Sequence, residues 1–177
     1  MLYIRRPTLH DLNECAKLDA SYTTQKVWQM TLQPENNRIQ AQFHLIHLPR
    51  AMSIPTPPED SDLTKAWQRG DGIYAARRGN DILGYIHIVM DQKQRTVRIH
   101  RHVVAPAHRK QGVGAALLDR AVDWARERHL HSFEVSLSTR NSSAIEFYIS
   151  REFVFTGFNE RLWGRQEILM HFSRLVR

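Results

Sequence analysis

The chain has a single cysteine, Cys15, among 177 residues. One thiol can build neither a disulfide framework nor a thiolate metal cluster, so a reducing, cytoplasmic compartment is expected. Long apolar runs are missing too: no stretch approaches the roughly 20 residues needed to cross a membrane as a helix. The opening MLYIRRPTLHDL lacks the apolar core of a signal peptide. Internal repeats, low-complexity tracts and blocks of five like charges are also absent. These absences exclude a disulfide-stapled secreted scaffold, a helical membrane protein, a repeat array and a charged disordered tail.

What remains reads as one folded domain, residues 1–177. Hydrophobic residues make up 42% of the chain and charged residues 24%, an ordinary balance for a protein with a proper core. Basic side chains outnumber acidic ones 25 to 18, for a net charge of +7. The excess is scattered among acidic neighbours, which favours a solvated basic surface over nucleic acid as the main partner. The same positive field suits a small ligand carrying phosphates.

Periodicity and turn chemistry divide the chain into short elements. Leu2–Arg6 reads as a strand ended by Pro7, and Thr8 caps a helix burying Leu12, Cys15, Ala16 and Leu18. Residues 22–33 are ambiguous, with a strand suggested at Val27–Met30. Arg38–Leu48 alternates cleanly, so a hairpin inserted near residues 27–48 is expected. Pro49–Asp60 holds four prolines and predicts an extended loop. Ser61 or Asp62 can cap a short helix ending at Gly70. Strands follow at Gly72–Arg77, Ile82–Met90 and Thr96–Val104, the first two joined by a turn at Gly79-Asn80-Asp81. Beyond the central helix come a strand at Ser132–Leu137, a helix at Ser142–Arg151, and strands at Phe153–Phe158 and Ile168–Leu175.

The stretch Val103–Ala121, VVAPAHRKQGVGAALLDRA, stands out. A strand end leads through Pro106 into Arg109-Lys110-Gln111-Gly112-Val113-Gly114. A helix then begins, with Val113, Leu117, Ala121 and Trp124 on one face and Asp119, Arg120, Asp123 and Arg126 on the other. A helix start presents unpaired N–H groups and the positive end of the dipole. Gly112 and Gly114 carry no Cβ to hold a bulky anion off the backbone. This is an anion cradle, suited to a diphosphate. Leu117 stands where a dinucleotide fingerprint needs its third glycine, and no Lys-Ser/Thr follows Gly114 as a nucleoside-triphosphate loop requires.

The pattern Arg-x-x-Gly-x-Gly resembles the coenzyme A pyrophosphate loop of the GNAT superfamily of N-acetyltransferases. A second stretch, Asn141-Ser-Ser-Ala144-Ile-Glu-Phe147-Tyr148 followed by Phe153, resembles that superfamily's next signature in the right order. Read structurally, Asn141 or Ser143 would cap a helix, with Glu146 closing a capping box, and Ala144, Phe147 and Tyr148 could be core. The resemblance covers about residues 72–177 well and the first strand and helix loosely. Residues 22–60 match nothing general in the family. Glu152 departs from the glycine usual before Phe153, which touches the helix exit. The tail Gly157–Glu160 through Glu167–Met170 is most like streptothricin-type and ribosomal-protein N-terminal acetyltransferases.

The resemblance implies an α/β fold: a mixed, mostly antiparallel central sheet flanked by helices. The sheet would splay between the strand before the cradle and the next strand, with a coenzyme-binding core at about residues 96–158. It implies acetyl-coenzyme A as co-substrate, its diphosphate on the N–H groups of Gln111, Gly112, Val113, Gly114 and Ala115. Arg109, Lys110, Asn141, Ala144, Phe147 and Tyr148 would complete the coenzyme site. The pantetheine arm would pair with the backbone of His102, Val103 and Val104. Tyr148 matches the position of the proton donor to the departing thiolate. The expected activity is transfer of an acetyl group to a primary amine, of a small molecule or, alternatively, of a peptide. A non-catalytic coenzyme-binding module is the reading from another class, and a homodimer stays open.

The base is less determined. Thr96–Val104 has no glutamate, and Arg98 falls where histone-type members carry one. His100 falls where some arylalkylamine-acetylating members have a histidine. Period-two alternation places Arg98, His100 and His102 on one face, so His100 acting through water competes with a path through water alone. No third ligand offers itself beside His100 and His102, which weighs against a metal.

Overall fold

The computed structural model describes residues 1–56, 62–161 and 167–176. In chain order the elements are β1 (Tyr3–Arg5), α1 (Leu9–Ala16), β2 (Tyr22–Glu35), β3 (Arg38–Ile54), α2 (Leu63–Arg69), β4 (Gly72–Arg78) and β5 (Asp81–Asp91). There follow β6 (Thr96–Val104), α3 (Val113–Glu127), β7 (Ser132–Ser138), α4 (Ser142–Ile149), β8 (Val154–Arg161) and β9 (Glu167–Leu175). They form two compact units: Met1–Ser21 with Pro55–Val135 and Ser173–Arg177, and Tyr22–Ile54 with Ser136–Phe172.

In the first unit the strand order is β1-β4-β5-β6-β7. All neighbours run antiparallel except β6 and β7. That parallel ladder pairs only Thr96–Arg98 with Ser132–Glu134, while β6 continues to Val104. The expected splay is therefore present. On one face, Leu12 and Cys15 of α1 and Leu63 and Ala66 of α2 pack with Ile73, Ala75, Tyr85 and Val103. On the other lies α3, whose Val113, Leu117, Ala121 and Trp124 are all buried, as its sequence periodicity requires. Ala16, expected in the core, is exposed, since α1 ends at that residue beyond the stripe of Leu12 and Cys15. Thr8 caps α1 in a complete capping box with Asp11, and Asp62 caps α2. The alternative cap, Ser61, lies outside the described residues.

The second unit holds the ends of the chain's later strands, in the order β7-β9-β8, and the two-stranded ribbon β2–β3. The ribbon is the expected hairpin, but longer in both directions. Residues from Pro49 to Ile54, expected as loop, belong to β3. The register explains how a strand tolerates Pro49. Lys26 pairs with His47 and Thr24 with Met52, so Leu48–Ala51 bulge out opposite Gln25. A residue without an N–H fits such an irregularity, where it interrupts no regular ladder. The Thr24 hydroxyl closes the gap on the other strand, donating to the Lys26 carbonyl at 2.6 Å. Residues 57–60 of the expected loop lie outside the described residues. Within this unit Phe43 meets Phe155 and Phe158 edge-on at 5.5 and 5.4 Å, and the Trp28 N–H donates to the Thr139 carbonyl.

Candidate active site

The glycine turn expected before the central helix is present. After β6 a short 3-10 turn, Pro106–His108, leads into Lys110 at φ 59° and Gly112 at φ 83°. Positive φ on either side of Gln111 turns successive N–H groups toward one concave side, an arrangement that favours anions. Gly112 is the N-cap of α3 and no side chain caps the helix there. A Cβ built on Gly112 would meet nothing within 4 Å, so the space beside it is open. No acidic side chain occurs between Ala105 and Leu118, while His108, Arg109 and Lys110 do. Open backbone donors at a helix start in a basic loop fit a diphosphate.

Arg109 plays a structural part here as well. Its Nε donates to the Val104 carbonyl at 2.9 Å and its Nη2 to the Asp19 carbonyl at 3.3 Å. The guanidinium thus ties the loop back to the end of β6. Gln111 likewise donates from its side chain to the Ala107 carbonyl.

The histidines of β6 do not share a face, contrary to the alternation expected from sequence. The pairing with β5 runs Arg98–Val89 and Ile99–Ile88, then jumps to Arg101–His87 and His102–Ile86. His100 is the extra residue of a β-bulge. One added residue inverts the alternation beyond it. Arg98 and His100 therefore lie on the face of α1 and α2, where the His100 ring meets His87 at 5.0 Å. His102 turns to the α3 face, where its ring atoms lie 3.5 and 3.7 Å from the position of a Cβ on Gly114. Burial pushes the His102 pKa down to about 4, against a smaller opposing effect of the Gly114 backbone. It is neutral at ordinary pH and supports the floor of the cradle, and two rings on opposite faces cannot share one metal ion.

Behind His100 is a group the sequence reading did not single out. His87 is 1% exposed, and its Nε2 lies 2.9 Å from Asp71 Oδ2. Asp71 also accepts from Arg69 Nη2 at 3.0 Å. The signal was available: a histidine inside the apolar run Tyr85-Ile86-His87-Ile88-Val89 has no packing reason to be polar.

In the second unit Asn141 caps α4, its side chain accepting from the Ala144 N–H at 3.1 Å. The helix begins at Ser142, so Asn141 rather than Ser143 is the cap and Glu146 is not placed to close a box. Tyr148 is 3% exposed and meets Phe147 and Phe153 edge-on at 5.2 and 5.0 Å. Burial raises its pKa, which keeps the phenol protonated. The helix leaves through Glu152 at φ 66°. The left-handed exit survives without glycine, and the Phe153 N–H reaches back to the Tyr148 carbonyl.

A model of the Acetyltransferase (GNAT) family matches residues 40–153. The chain belongs to the GNAT family. Streptothricin acetyltransferase A of Bacillus subtilis (strain 168) is a relative, 29% identical over 106 residues. That alignment covers 60% of this chain and 61% of the relative, so the chain spans less than two thirds of the protein it matches. Among solved structures, nourseothricin acetyltransferase aligns with a TM-score of 0.86 at 21% identity, over 99% of both chains. A structure from Bacillus anthracis str. Ames, solved in complex with acetyl coenzyme A, gives 0.82 at 22%, again over 99% of both. The ribosomal-protein-S18-alanine N-acetyltransferase of Escherichia coli gives 0.70 at 14%, over 99% of this chain and 94% of that one. At these identities the structures show the GNAT fold, and the likeness to streptothricin-type and ribosomal-protein acetyltransferases expected from the tail is present.

Proposed function

We propose that this GNAT protein transfers an acetyl group from acetyl-coenzyme A to a primary amine of a small molecule. The observation that carries the reading is the uncapped start of α3 at Gly112, open and basic, in a chain matched by the acetyltransferase family model. The B. anthracis structure, solved with acetyl coenzyme A, supports that co-substrate, and the streptothricin-type relative supports a small amine as acceptor.

The coenzyme supplies an acetyl thioester. In this reading the N–H groups from Gln111 to Ala115 hold its diphosphate, with Arg109 and Lys110 beside them. The backbone of His102, Val103 and Val104 aligns the arm, and Asn141, Ala144, Phe147 and Tyr148 serve the same ligand. The amine nitrogen attacks the carbonyl carbon directly, forming the C–N bond as the C–S bond breaks. The amine's surplus proton passes through water to His100, and the leaving thiolate takes a proton from Tyr148. A neutral imidazole suits the first task. The raised pKa of Tyr148 makes the second uphill, so its contribution depends on close placement at sulfur.

Two measurements test this. Calorimetry with coenzyme A should show a dissociation constant at least about tenfold higher for Gly112→Val, some 1.4 kcal/mol, and unchanged affinity would overturn the cradle assignment. A free-thiol release assay with acetyl-coenzyme A across small amines, polyamines, aminoglycosides and peptides should show turnover with small amines. Release only with peptides would overturn the small-molecule acceptor.

A further inference from the structure

A histidine buried in the middle of an apolar strand gives up its hydration and needs a polar partner there. Isoleucine or valine at residue 87 would fill the same space without that cost. The chain instead holds His87 at 1% exposure against the Asp71 carboxylate, whose own side chain is 11% exposed. Arg69 bonds to the same carboxylate oxygen, Oδ2, at 3.0 Å. A carboxylate bonded to one ring nitrogen fixes both the tautomer and the plane of an imidazole.

The bulge then matters a second time. The register shift in the β5–β6 ladder falls at His87/Ile88, and His100 is the residue it leaves over. Without the shift, His87 would oppose His100 as a regular cross-strand pair. With it, His100 is displaced along the strand yet keeps its ring edge-on to His87, at 5.0 Å and 67°. His100 is exposed while His87 is not. Carboxylate, buried ring and exposed ring thus follow one another from the start of β4 to the middle of β6.

We propose that Asp71 and His87 are a positioning pair for His100, fixing its ring and raising its proton affinity. The proposal deepens the reading of His100 as proton acceptor and rests on it. Around His100, the charged and titratable groups are Arg98 and Arg101 on its own strand, His87 on β5, and Asp71 with Arg69 behind. Glu134 of β7 stands in register with Arg98. Arg98 and Arg101 carry charge that opposes a proton on the ring, and the Asp71 carboxylate behind His87 carries charge that favours one.

The test is the pH titration of the His100 ring protons by NMR in wild type, Asp71→Asn and His87→Gln. Asp71→Asn removes the carboxylate charge and keeps the shape. It should lower the His100 midpoint by at least about 0.5 pH unit, roughly threefold in proton affinity. The acid limb of kcat/KM should move the same way, with coenzyme A affinity unchanged. Thermal melts establish that each variant is folded, and Asp71→Asn decides alone should His87→Gln not fold. An unchanged His100 midpoint in folded Asp71→Asn overturns the positioning pair. Wild-type rate and acid limb in His100→Gln would overturn the base assignment instead, a failure the ring titration does not share.

Discussion

The first unit buries a charged side chain, and among the described residues the second buries none. In the first, charge is taken into the core: Asp11 is 2% exposed, between Arg5 at 3.0 Å and Arg77 at 2.7 Å. Burial alone would raise the Asp11 pKa, but bonds from Thr8 and the two guanidinium groups outweigh it, and its carboxyl lies below the ordinary value. Both units leave apolar side chains in solvent, Leu9 and Trp67 in the first and Leu32, Val154 and Ile39 in the second, with Ile39 at the ribbon's turn 80% exposed. A sheet covered on both faces, by α1 and α2 and by α3, leaves little room for a misfit atom. A two-stranded ribbon held by its own ladder has room to spare. The cost of a substitution should therefore follow the unit more than the residue type.

The sharpest break in that rule should come from chemistry. Tyr148 lies in the second unit, and Tyr148→Phe should reduce turnover by about 10²–10⁴ while coenzyme affinity and melting temperature stay near wild type. Wild-type turnover, measured where chemistry limits, would make Tyr148 a packing residue only. Within the first unit, Gly84→Ala should lower stability by about 2 kcal/mol. Its new Cβ would fall 2.5 Å from the Val103 carbonyl oxygen and 3.1 Å from the Val104 Cα, so backbone would have to move. Denaturant unfolding measures this, and a loss below ~0.5 kcal/mol would mean that the covered sheet yields more easily than argued.

Two smaller changes probe the second unit. Glu152 holds a left-handed φ of 66°, and Glu152→Gly should raise stability by about 1 kcal/mol through relief of that strain. A lower melting temperature would show that the Glu152 side chain contributes more than its backbone costs. Ile39→Thr should change stability by no more than about 0.5 kcal/mol, since the side chain is exposed and threonine suits a strand. A large loss would show that this apolar tip is covered in solution.

Most of the fold could be read from local signals. Thr8, Asp62 and Asn141 cap their helices as short polar side chains before apolar runs do, and Gly79 and Asn80 make the turn between β4 and β5. The cradle was legible because glycines and a helix start act through neighbouring backbone. Less legible were the ends of the ribbon, where Pro49 argued for loop until the facing strand supplied a bulge. His87 went unnoticed because its partner Asp71 is sixteen residues away and meets it only across the β4–β5 pairing.

The histidines of β6 mark the boundary between the two kinds of information. Sequence alone determined that His100 and His102 sit in a strand leading to a glycine turn and a helix start, because strand propensity and turn chemistry are properties of adjacent residues. Only tertiary structure decided that the two rings point to opposite faces, one toward a buried Asp–His pair and one beneath α3. The reason is physical. Alternation along a strand is counted from its pairing with another strand, and a single bulged residue, visible only in that pairing, reverses the count for every side chain after it.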